Sequence, residues 1–381
     1  MLSAAQSETP LIMIFGTGNL CANLLPLLLT RAQTSRVVLV GRNFEKAVRL
    51  ANLARFTAYN LGTVAGPSVE MADLRNVEQV AEILARIRPD IIFMGASLQA
   101  ARIITELPND VFRAIDEAQF GIWLPMHLSL NYDLMKAVKL SGHNCMVVNG
   151  AFPDAVGNVL SKVGLAPDIG VGNIGNIVPA LTYSVARRLD IEPVRVRLRL
   201  IAHHYFSHYV HRFGNAGRAT YHLDAYVDGQ LVDLGEDHGP IFKALGGDLR
   251  RVGGTEGQIL TAASAALILQ GLVSETPIYA HAPAPRGLPG GYPVKISSGS
   301  IELDLDPSMP MERAIKVNEA CQHADGIRQI ADDGTVYFED QEADILNRLL
   351  GYECRELKLD DSYQWAEELS SKYQKFSEQY R

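Results

Sequence analysis

Cysteine is scarce in this sequence. The four cysteines, Cys21, Cys145, Cys321 and Cys354, lie far apart, and no two of them form a CxxC pair. This spacing argues against a disulfide framework and against a zinc site built from thiolates. Such a chain suits a reducing compartment, so we expect a cytoplasmic protein without a metal site.

The sequence also lacks long basic runs and long uninterrupted apolar runs. Its net charge of −8 is spread along the chain, which argues against nucleic acid or an anionic membrane as a partner. The longest apolar stretch near the N-terminus, LIMIFGTGNLCANLLPLLL, is broken by Gly, Asn and Pro, and no basic segment precedes it. It therefore has the pattern of neither a signal peptide nor a membrane span. We expect a small molecule as the main ligand.

What is present indicates an ordinary globular protein with two lobes. Hydrophobic residues make up 47% of the 381 residues and charged residues 20%, and domains usually contain about 100–200 residues. The segment 11–40 begins with a short apolar strand, continues through a glycine turn and a helical stretch, and ends with a second apolar strand. This order is one βαβ unit, the building block of a doubly wound parallel sheet.

The glycine turn predicts a dinucleotide-binding site. Gly16 and Gly18 occupy the first two positions of the pattern GxGxxG, where the backbone turns tightly and approaches a pyrophosphate. The helix that begins near Asn19 and Leu20 would direct its N-terminus at that anion. Cys21 replaces the third glycine, which serves helix-on-strand packing and tolerates a small side chain. A GxG pair alone is weak evidence, because many tight turns contain one.

Further residues extend this predicted cofactor site. Where NAD-specific enzymes have an acidic residue, at the end of the second strand, the chain has Arg42. An arginine there suits a 2′-phosphate and favours NADP over NAD, although a solvated surface arginine is the simpler alternative. Asp73 lies in the next loop. The remaining predicted cofactor residues are small and follow a later buried strand: Gly95, Ala96 and Ser97.

From Asn149 onward the sequence contains a series of characteristic segments. They are a strand ending in VVNG, the turn FPD, the segment GVGN, a helix ending in ARRLDIEP, a strand ending in His, and then GGTEGQILTAASAALILQGLV and PIYAHAPAPRGLPGGYPVKISSGSIELDL. Together with the first lobe, over about residues 11–320, they resemble the lactate/malate dehydrogenase superfamily, to which the NAD-dependent glycosidases are also related. The resemblance implies a Rossmann lobe followed by an α+β substrate lobe.

The resemblance assigns roles to single residues. His204 falls where the family has its catalytic histidine, Asn149 lies near the active-site asparagine, and Thr255 begins a long helix that borders the substrate. Arg102 follows a strand at the position of the family's mobile lid. By this resemblance His204 and Asn149 are catalytic, and Arg102 and Thr255 contact the substrate.

The sequence departs from the family at the groups that support the histidine. Aligned on ARRLDIEP, Ile177 and Ala180 stand where the dehydrogenases have the aspartate that orients the histidine and the arginine that binds the substrate carboxylate. The usual clamp for a 2-hydroxy acid is therefore missing. The glycosidases bind a metal with a cysteine in the segment GVGNIGN, where this chain offers Asn173 or Asn176, so that metal signature is absent too.

The stretch IAHHYFSHYVH contains four of the ten histidines. Interpreted as a continuing strand, it puts His204 and His208 on one face and His203 and His211 on the other. Three interpretations stay open: His204 as acid/base with His208 as helper, packing or surface roles for all of them, and metal binding.

Two groups that the proposed chemistry needs remain to be identified. Asp154 and Glu256 are candidates for the acid that orients the histidine, and either is equally suited to be a helix cap or a surface carboxylate. Arg212 and Arg218 are candidates to replace the missing arginine, with ordinary solvated arginines as the alternative.

We predict three parts: a dinucleotide-binding Rossmann domain over 1–148, a substrate domain over 149–320, and a C-terminal helical extension over 321–381. The extension contains a hairpin-like segment and two amphipathic helices, which cover a sheet edge or build a dimer interface. We expect a homodimer or a higher homo-oligomer.

The predicted activity is that of an NAD(P)-dependent oxidoreductase. It transfers a hydride between nicotinamide and a small polar carbonyl, alcohol, imine or amine substrate, and His204 carries the proton. Two alternatives remain: an NAD-dependent hydrolase or lyase that uses transient oxidation, and a non-catalytic dinucleotide-binding protein.

Overall fold

A computed structural model describes residues 9–30 and 36–380. The first lobe contains a six-stranded parallel sheet with the strand order β3-β2-β1-β4-β5-β6. Its strands are β1 (Leu11–Phe15), β2 (Arg36–Gly41), β3 (Ser68–Met71), β4 (Ile91–Met94), β5 (Met146–Asn149) and β6 (Ile169–Gly170). The sheet thus continues past residue 148, because β6 pairs with β5.

Helices cover both faces of this parallel sheet. They are α1 (Asn19–Leu29), α2 (Phe44–Asn60), α3 (Val77–Ile87), α4 (Asn109–Asp116), α5 (Pro125–Ser141) and α6 (Pro153–Ser161). Alternate residues of β1 enter different cores: Ile12 and Ile14 pack with α1 and α2, whereas Met13 and Phe15 pack with α3 and α5. Burial on both faces explains why β1 is a continuous apolar run.

The second lobe contains an antiparallel sheet with the order β10-β11-β7-β8-β9, and β12 pairs with β11. Its strands are β7 (Val196–Ala202), β8 (Tyr221–Val227), β9 (Gln230–Val232), β10 (Ile278–Pro283), β11 (Gly291–Ser297) and β12 (Ser300–Leu303). Its helices are α7 (Ile174–Leu189), α8 (His204–Phe213), α9 (Gly239–Gly246), α10 (Gln258–Val273) and α11 (Met311–Ala324). The predicted fold class, a doubly wound parallel sheet followed by an α+β lobe, is confirmed.

The C-terminal segment packs on the first lobe. It contains a small antiparallel sheet of three strands, β13 (Ile327–Ile330), β14 (Val336–Phe338) and β15 (Glu356–Leu357). The helix α12 (Asp340–Leu350) lies between β14 and β15, and α13 (Ser362–Ser377) follows β15. Buried residues of α13 join the same apolar core as α3 and α5, and the hydroxyl of Tyr373 donates to the carbonyl of Ile103 at 3.0 Å. The segment is therefore an integral layer of the protein.

The histidine-rich stretch is a helix, so its interpretation as a strand is wrong. Strand β7 ends at Ala202, and α8 begins at His204. The buried residues Tyr205, Phe206 and Val210 recur at helical spacing, which the four interspersed histidines hide in the sequence. His204 and His208, one turn apart, still share a face: their rings stack with centroids 5.6 Å apart.

Within the described ranges, no helix is both long and apolar enough to cross a membrane.

Candidate functional site

One cavity lies at the carboxyl ends of the parallel strands. Its volume is about 610 Å³. Both lobes line it, through the start of α1, the loops after β4 and β5, one face of α8 and the segment 250–258. In doubly wound sheets, ligands bind at this edge. The cavity is therefore the candidate functional site.

Glycines shape the end of the cavity beside α1. Gly16 has a φ of +126°, and a Cβ there would lie 3.0 Å from the carbonyl carbon of Gly95. A Cβ at Gly18 would meet no atom within 4 Å, since Gly18 borders the cavity. The sulfur of Cys21 lies only 2.5 Å from a Cβ built at Gly95, which is the close helix-on-strand packing that the third glycine of the pattern usually permits. The backbone can thus approach a ligand closely here.

Four further residues of the predicted cofactor site lie at this end. Asn19, Leu20 and Ser97 line the cavity. The side-chain amide of Asn19 donates to the backbone carbonyl of Thr255 at 3.0 Å. Ala96 follows Gly95, and its backbone nitrogen would lie 3.1 Å from a Cβ at Gly16. The hydrogen bond to Thr255 joins the glycine turn to the segment before α10.

Arg42 and Asp73 lie apart from the cavity lining. Arg42 is exposed directly after β2. The carboxylate of Asp73 accepts the backbone N–H of Arg75 at 3.1 Å, so it stabilises the loop after β3. Arg42 follows β2, the neighbour of β1, and Asp73 follows β3, the next strand outward. Both lie on the side of the sheet where the adenosine part of a dinucleotide is bound in this type of fold.

A buried carboxylate holds the histidine at the start of α8. Nδ1 of His204 lies 3.0 and 3.1 Å from the two carboxylate oxygens of Asp325. His204 lines the cavity with a side chain that is 13% exposed, whereas Asp325 is fully buried. Nδ1 of the buried His203 lies 3.5 Å from the same carboxylate. Asp325 follows α11 directly.

The ionised form of Asp325 is favoured despite its burial. Burial alone would raise the pKa of this carboxyl, but the neighbouring charge of His204 and hydrogen bonds from His203 and His204 bring the pKa well below its usual range. Asp325 is therefore a permanent anion beside His204. The sequence offered no local signal for it, because 121 residues separate the two partners.

The two acids expected to orient His204 lie elsewhere. Asp154 is fully buried in the first turn of α6, where it accepts the side-chain amide of Asn173. Burial raises the pKa of Asp154, partly offset by His203 and His204 nearby. Glu256 is exposed in the turn before α10. The expectation that one of them pairs with His204 is wrong, since Asp325 occupies that position.

Aromatic rings surround the cavity side of His204. Its ring centroid lies 4.8 Å from that of Phe120 and 5.3 Å from that of Phe152. The ring of His127 lies 5.3 Å from Phe120 and also lines the cavity. Burial and the charge of His204 lower the pKa of His127 to about 3. Neither His127 nor the two phenylalanines stood out in the sequence, because they come from separate loops and a helix start.

Arg212 lines the cavity but is already paired. Its guanidinium lies 2.8 Å from the carboxylate of Asp116, and it contacts Nε2 of His208 at 2.7 Å. Burial, together with the charges of His204 and Arg212, lowers the pKa of His208 well below the usual value. His208 is thus uncharged at neutral pH.

Other candidate residues are less central. The side chain of Asn149 is buried and bonds only the backbone of Ala151, accepting its N–H at 2.7 Å. Arg218 pairs with Glu342 at 2.8 Å and does not line the cavity. Arg102 falls in the short helix 101–106, and its side chain lies outside what the structure describes.

The two positions where the family has its aspartate and arginine belong to the core. Ile177 is buried and Ala180 packs against the same apolar cluster as α7 and β7. Asn173 and Asn176 both line the cavity, and Asn176 donates to Thr261 at 2.9 Å. No group of three or more His, Cys, Asp or Glu residues in the described part of the chain has the geometry of a metal site.

Comparisons with known proteins establish the fold. No family model and no curated protein matches the sequence. The structure resembles lactate dehydrogenase from Eimeria maxima with NADH and oxamate, with a TM-score of 0.54 and 15% identity over 85% of this chain and 94% of that one. It also resembles malate dehydrogenase from Cryptosporidium parvum, with a TM-score of 0.52 and 15% identity over 83% and 98% of the two chains.

A third similar structure, like the first, contains NADH. Malate dehydrogenase from Plasmodium falciparum in complex with NADH aligns with a TM-score of 0.52 and 14% identity, over 83% of this chain and 98% of that one. The resemblance to lactate and malate dehydrogenases is thus confirmed at the level of the fold. The relation to NAD-dependent glycosidases stays a prediction.

Proposed function

We propose that this protein is an NAD(P)-dependent oxidoreductase that interconverts a carbonyl and an alcohol, or an imine and an amine, with His204 as the proton carrier. One observation carries the proposal: the pair of His204 and the buried Asp325 borders the same cavity as the glycine turn. A dehydrogenase-like fold supports it, but fold alone does not specify chemistry.

The glycine turn suits a dinucleotide. Side chains at Gly16 or Gly95 would collide with backbone or with Cys21, and the space beside Gly18 is open, so a pyrophosphate can approach the N-terminus of α1. Asn19, Leu20, Ala96 and Ser97 complete the set of residues that we propose to contact the cofactor, and Asp73 supports the neighbouring loop. When bound, the nicotinamide ring supplies or accepts the hydride.

His204 and Asp325 perform the matched proton transfer. Asp325 accepts the hydrogen bond from Nδ1 and so keeps the proton on that nitrogen, which leaves Nε2 to take a proton from an alcohol or, once protonated, to give one to a carbonyl. The anionic carboxylate also stabilises the imidazolium form during the exchange. Asp325 acts through His204 and is a positioning residue.

Neighbouring residues support this pair. His208 stacks on His204. We propose that it assists His204 as an uncharged neighbour that limits the orientations of the His204 ring. Asn149 fixes the turn at Ala151, which lines the cavity. Thr255, Arg102 and Arg212 stay candidates for substrate contacts, and for Arg212 such a contact would compete with Asp116.

A fluorescence titration with NADPH and NADH at equal salt concentration tests the proposal. We expect NADPH to bind about 10-fold more tightly or better, because Arg42 offers a bidentate partner to the 2′-phosphate. Arg42→Ala should remove this preference and leave NADH binding unchanged. Arg49→Ala, which alters an exposed ion pair with Glu45 on α2, is the matched control.

Variants of Gly18 test the glycine turn itself. Because the space beside Gly18 is open, Gly18→Asp and Gly18→Asn should both fold. We expect the aspartate to repel the pyrophosphate and weaken NADPH binding by a further factor of about 10 relative to the uncharged, isosteric asparagine. Equal binding by both variants would show that the phosphates lie elsewhere, and absence of binding by the folded wild-type protein would refute the cofactor assignment.

A further inference from the structure

On its cavity side, the proposed proton carrier is surrounded by aromatic rings. We define the aromatic box as the rings of Phe120, Phe152, His127, His204 and His208. Phe120 and Phe152 contact each other edge to face at 4.5 Å between centroids, and each flanks the ring of His204. A proton carrier must lie within hydrogen-bond reach of the reacting oxygen or nitrogen. Whatever is attached to the reacting carbon therefore lies against these rings.

The backbone adopts an uncommon conformation at one member of the box and directly before another. Phe152 itself has a φ of +47°, and Gln119, directly before Phe120, has a φ of +56°. Residues other than glycine rarely adopt this left-handed backbone region, and each one that does lowers the stability of the fold by about 1 kcal/mol or more. The fold thus tolerates unfavourable backbone geometry where these two rings are placed beside His204.

His127 supplies one uncharged polar group to the box. Its ring is 4% exposed and lines the cavity, and no described residue hydrogen-bonds its Nδ1. A buried polar group without a partner is costly unless a ligand satisfies it. An uncharged imidazole can donate one hydrogen bond to a carbonyl or hydroxyl oxygen and accept another, but it cannot neutralise a carboxylate.

Among the side chains that the structure describes, the charged groups in contact with the box are paired with one another. Asp325 neutralises an imidazolium at His204, and Asp116 neutralises Arg212. Ile177 and Ala180 are part of the core and bring no cation. Burying a carboxylate without a free partner is strongly unfavourable.

Two other arginines, Arg250 and Arg251, line the cavity. They lie in the segment that leads to Thr255, whose carbonyl accepts the side-chain amide of Asn19 at the glycine turn. Because of this link to the glycine turn, we assign both arginines to the phosphates of the cofactor and not to a carboxylate at the aromatic box.

We propose that the substrate is an uncharged ketone or secondary alcohol with an aromatic or other apolar substituent on the reacting carbon, oriented by a hydrogen bond from His127. The proposal rests on the oxidoreductase function. In the reductive direction a bound, reduced nicotinamide would supply the hydride to the carbonyl carbon and its two electrons with it, and His204 would give its proton to the oxygen. The oxidation of the alcohol is the reverse.

Matched pairs of probes test this substrate class. Acetophenone and 1-phenylethanol are uncharged, whereas benzoylformate and mandelate add a carboxylate to the same skeletons. Binding to the full-length protein with saturating NADPH, and without it, is measured through the ring signals of ¹³C-labelled histidines. We expect acetophenone to shift the His127 and His204 signals and to bind at least about 10-fold more tightly than benzoylformate. Equal or tighter binding of the acids, or binding of no probe, overturns the proposal.

A second comparison isolates the hydrogen bond from His127. His127→Phe should weaken acetophenone binding by about 3- to 10-fold and leave ethylbenzene, which lacks the oxygen, unchanged. Phe120→Leu should weaken both probes, and Phe56→Leu on the exposed face of α2 should weaken neither. If His127→Phe does not fold, the binding of acetophenone and ethylbenzene to His127→Gln and to the wild-type protein still decides whether His127 donates the hydrogen bond. A similar loss for both probes with His127→Phe would exclude the hydrogen bond.

The outcomes separate this inference from the proposed function. NADPH binding without binding of the uncharged probes refutes the substrate class and leaves the oxidoreductase standing. Binding of acetophenone in the absence of any NADPH binding refutes the oxidoreductase while the cavity keeps its selectivity for uncharged ligands.

Discussion

At His204, one hydrogen bond decides which nitrogen is available for chemistry. The carboxylate of Asp325 can only accept, so it selects the tautomer that carries the proton on Nδ1. The cost of burying this anion is offset by two histidines, His203 and His204, whose Nδ1 atoms lie 3.5 and 3.0 Å from the same carboxylate oxygen. A buried charge of this kind persists only with such partners, and here the partner is also the residue that faces the cavity.

Asp325→Asn tests the tautomer directly. An amide can donate as well as accept, so both tautomers of His204 become accessible, and we expect a loss of about 10²- to 10⁴-fold in kcat with little change in NADPH affinity. ¹⁵N NMR of the His204 ring should show a mixture of tautomers. Asp333→Asn, in an exposed turn of the same segment, is the control. An unchanged ring spectrum would mean that Asp325 does not position the proton.

His204→Asn tests the proton carrier itself. The variant keeps a polar side chain of smaller size at a partly exposed helix start, so we expect it to fold and to bind NADPH as the wild-type protein does. Turnover of a ketone that the wild-type enzyme reduces should fall by about 10²-fold or more, because the proton would have to come from water. Turnover within a few-fold of wild type would remove His204 from the mechanism.

The element that brings Asp325 to the site is the junction between α11 and β13. The backbone N–H of Gly121 donates to the carbonyl of Asp325 at 2.7 Å. A Cβ at Gly121 would lie 2.4 Å from that carbonyl oxygen and 2.8 Å from the side chain of Ile327. The first lobe and the C-terminal layer therefore meet backbone to backbone, directly beside the anion that orients His204.

Gly121→Ala should disturb this junction. The added methyl group would force Asp325 and Ile327 away, and overpacking of a buried contact costs about 1–3 kcal/mol. We expect a lower free energy of unfolding in urea and partial loss of the single His204 tautomer in the ¹⁵N spectrum. Gly253→Ala, where a Cβ meets no atom within 4 Å, is the matched control. A Gly121 variant as stable as this control would contradict the close contact.

Elements defined by neighbouring residues were predictable, and those defined by distant pairing were not. The β1–α1–β2 unit follows from apolar runs and a glycine turn within 40 residues, so the end of the cavity at the glycine turn could be derived. The strand prediction for 201–211 failed because the buried residues of α8 are interspersed with histidines of ambiguous preference. Asp325 and Phe120 could not be found, since nothing in their local sequence indicates contact with His204.

At the scale of the whole molecule, each lobe contains a buried histidine that burial keeps uncharged. His127 lies at the start of α5 in the first lobe. His281 lies in β10 of the second lobe, where its Nε2 accepts the N–H of Leu200 on β7, two strands away in the same sheet, at 3.1 Å. Burial lowers the pKa of each side chain to about 3. Both imidazoles thus remain uncharged in the folded protein over the physiological range.

Because of these histidines, the folded state should lose stability on mild acidification. Between the unfolded pKa of 6.5 and the folded pKa of about 3, the unfolded chain binds the proton and the folded chain does not. Their contribution to the free energy of unfolding is therefore fully present above pH 6.5. It is lost as the pH falls, by about 1 kcal/mol per pH unit for each histidine. Urea unfolding at three pH values between 7.5 and 5 measures this slope.

His127→Phe should reduce the slope by the share of one group, about 1 kcal/mol per pH unit. The slope should also persist at about 0.5 M salt, because added ions screen surface charges but not the desolvation of a buried imidazole. A slope that vanishes in salt would assign the acid sensitivity to surface ion pairs. If His127→Phe leaves the slope unchanged, His127 is protonated in the folded state. A cationic His127 would attract the carboxylate substrates that the aromatic box is inferred to reject.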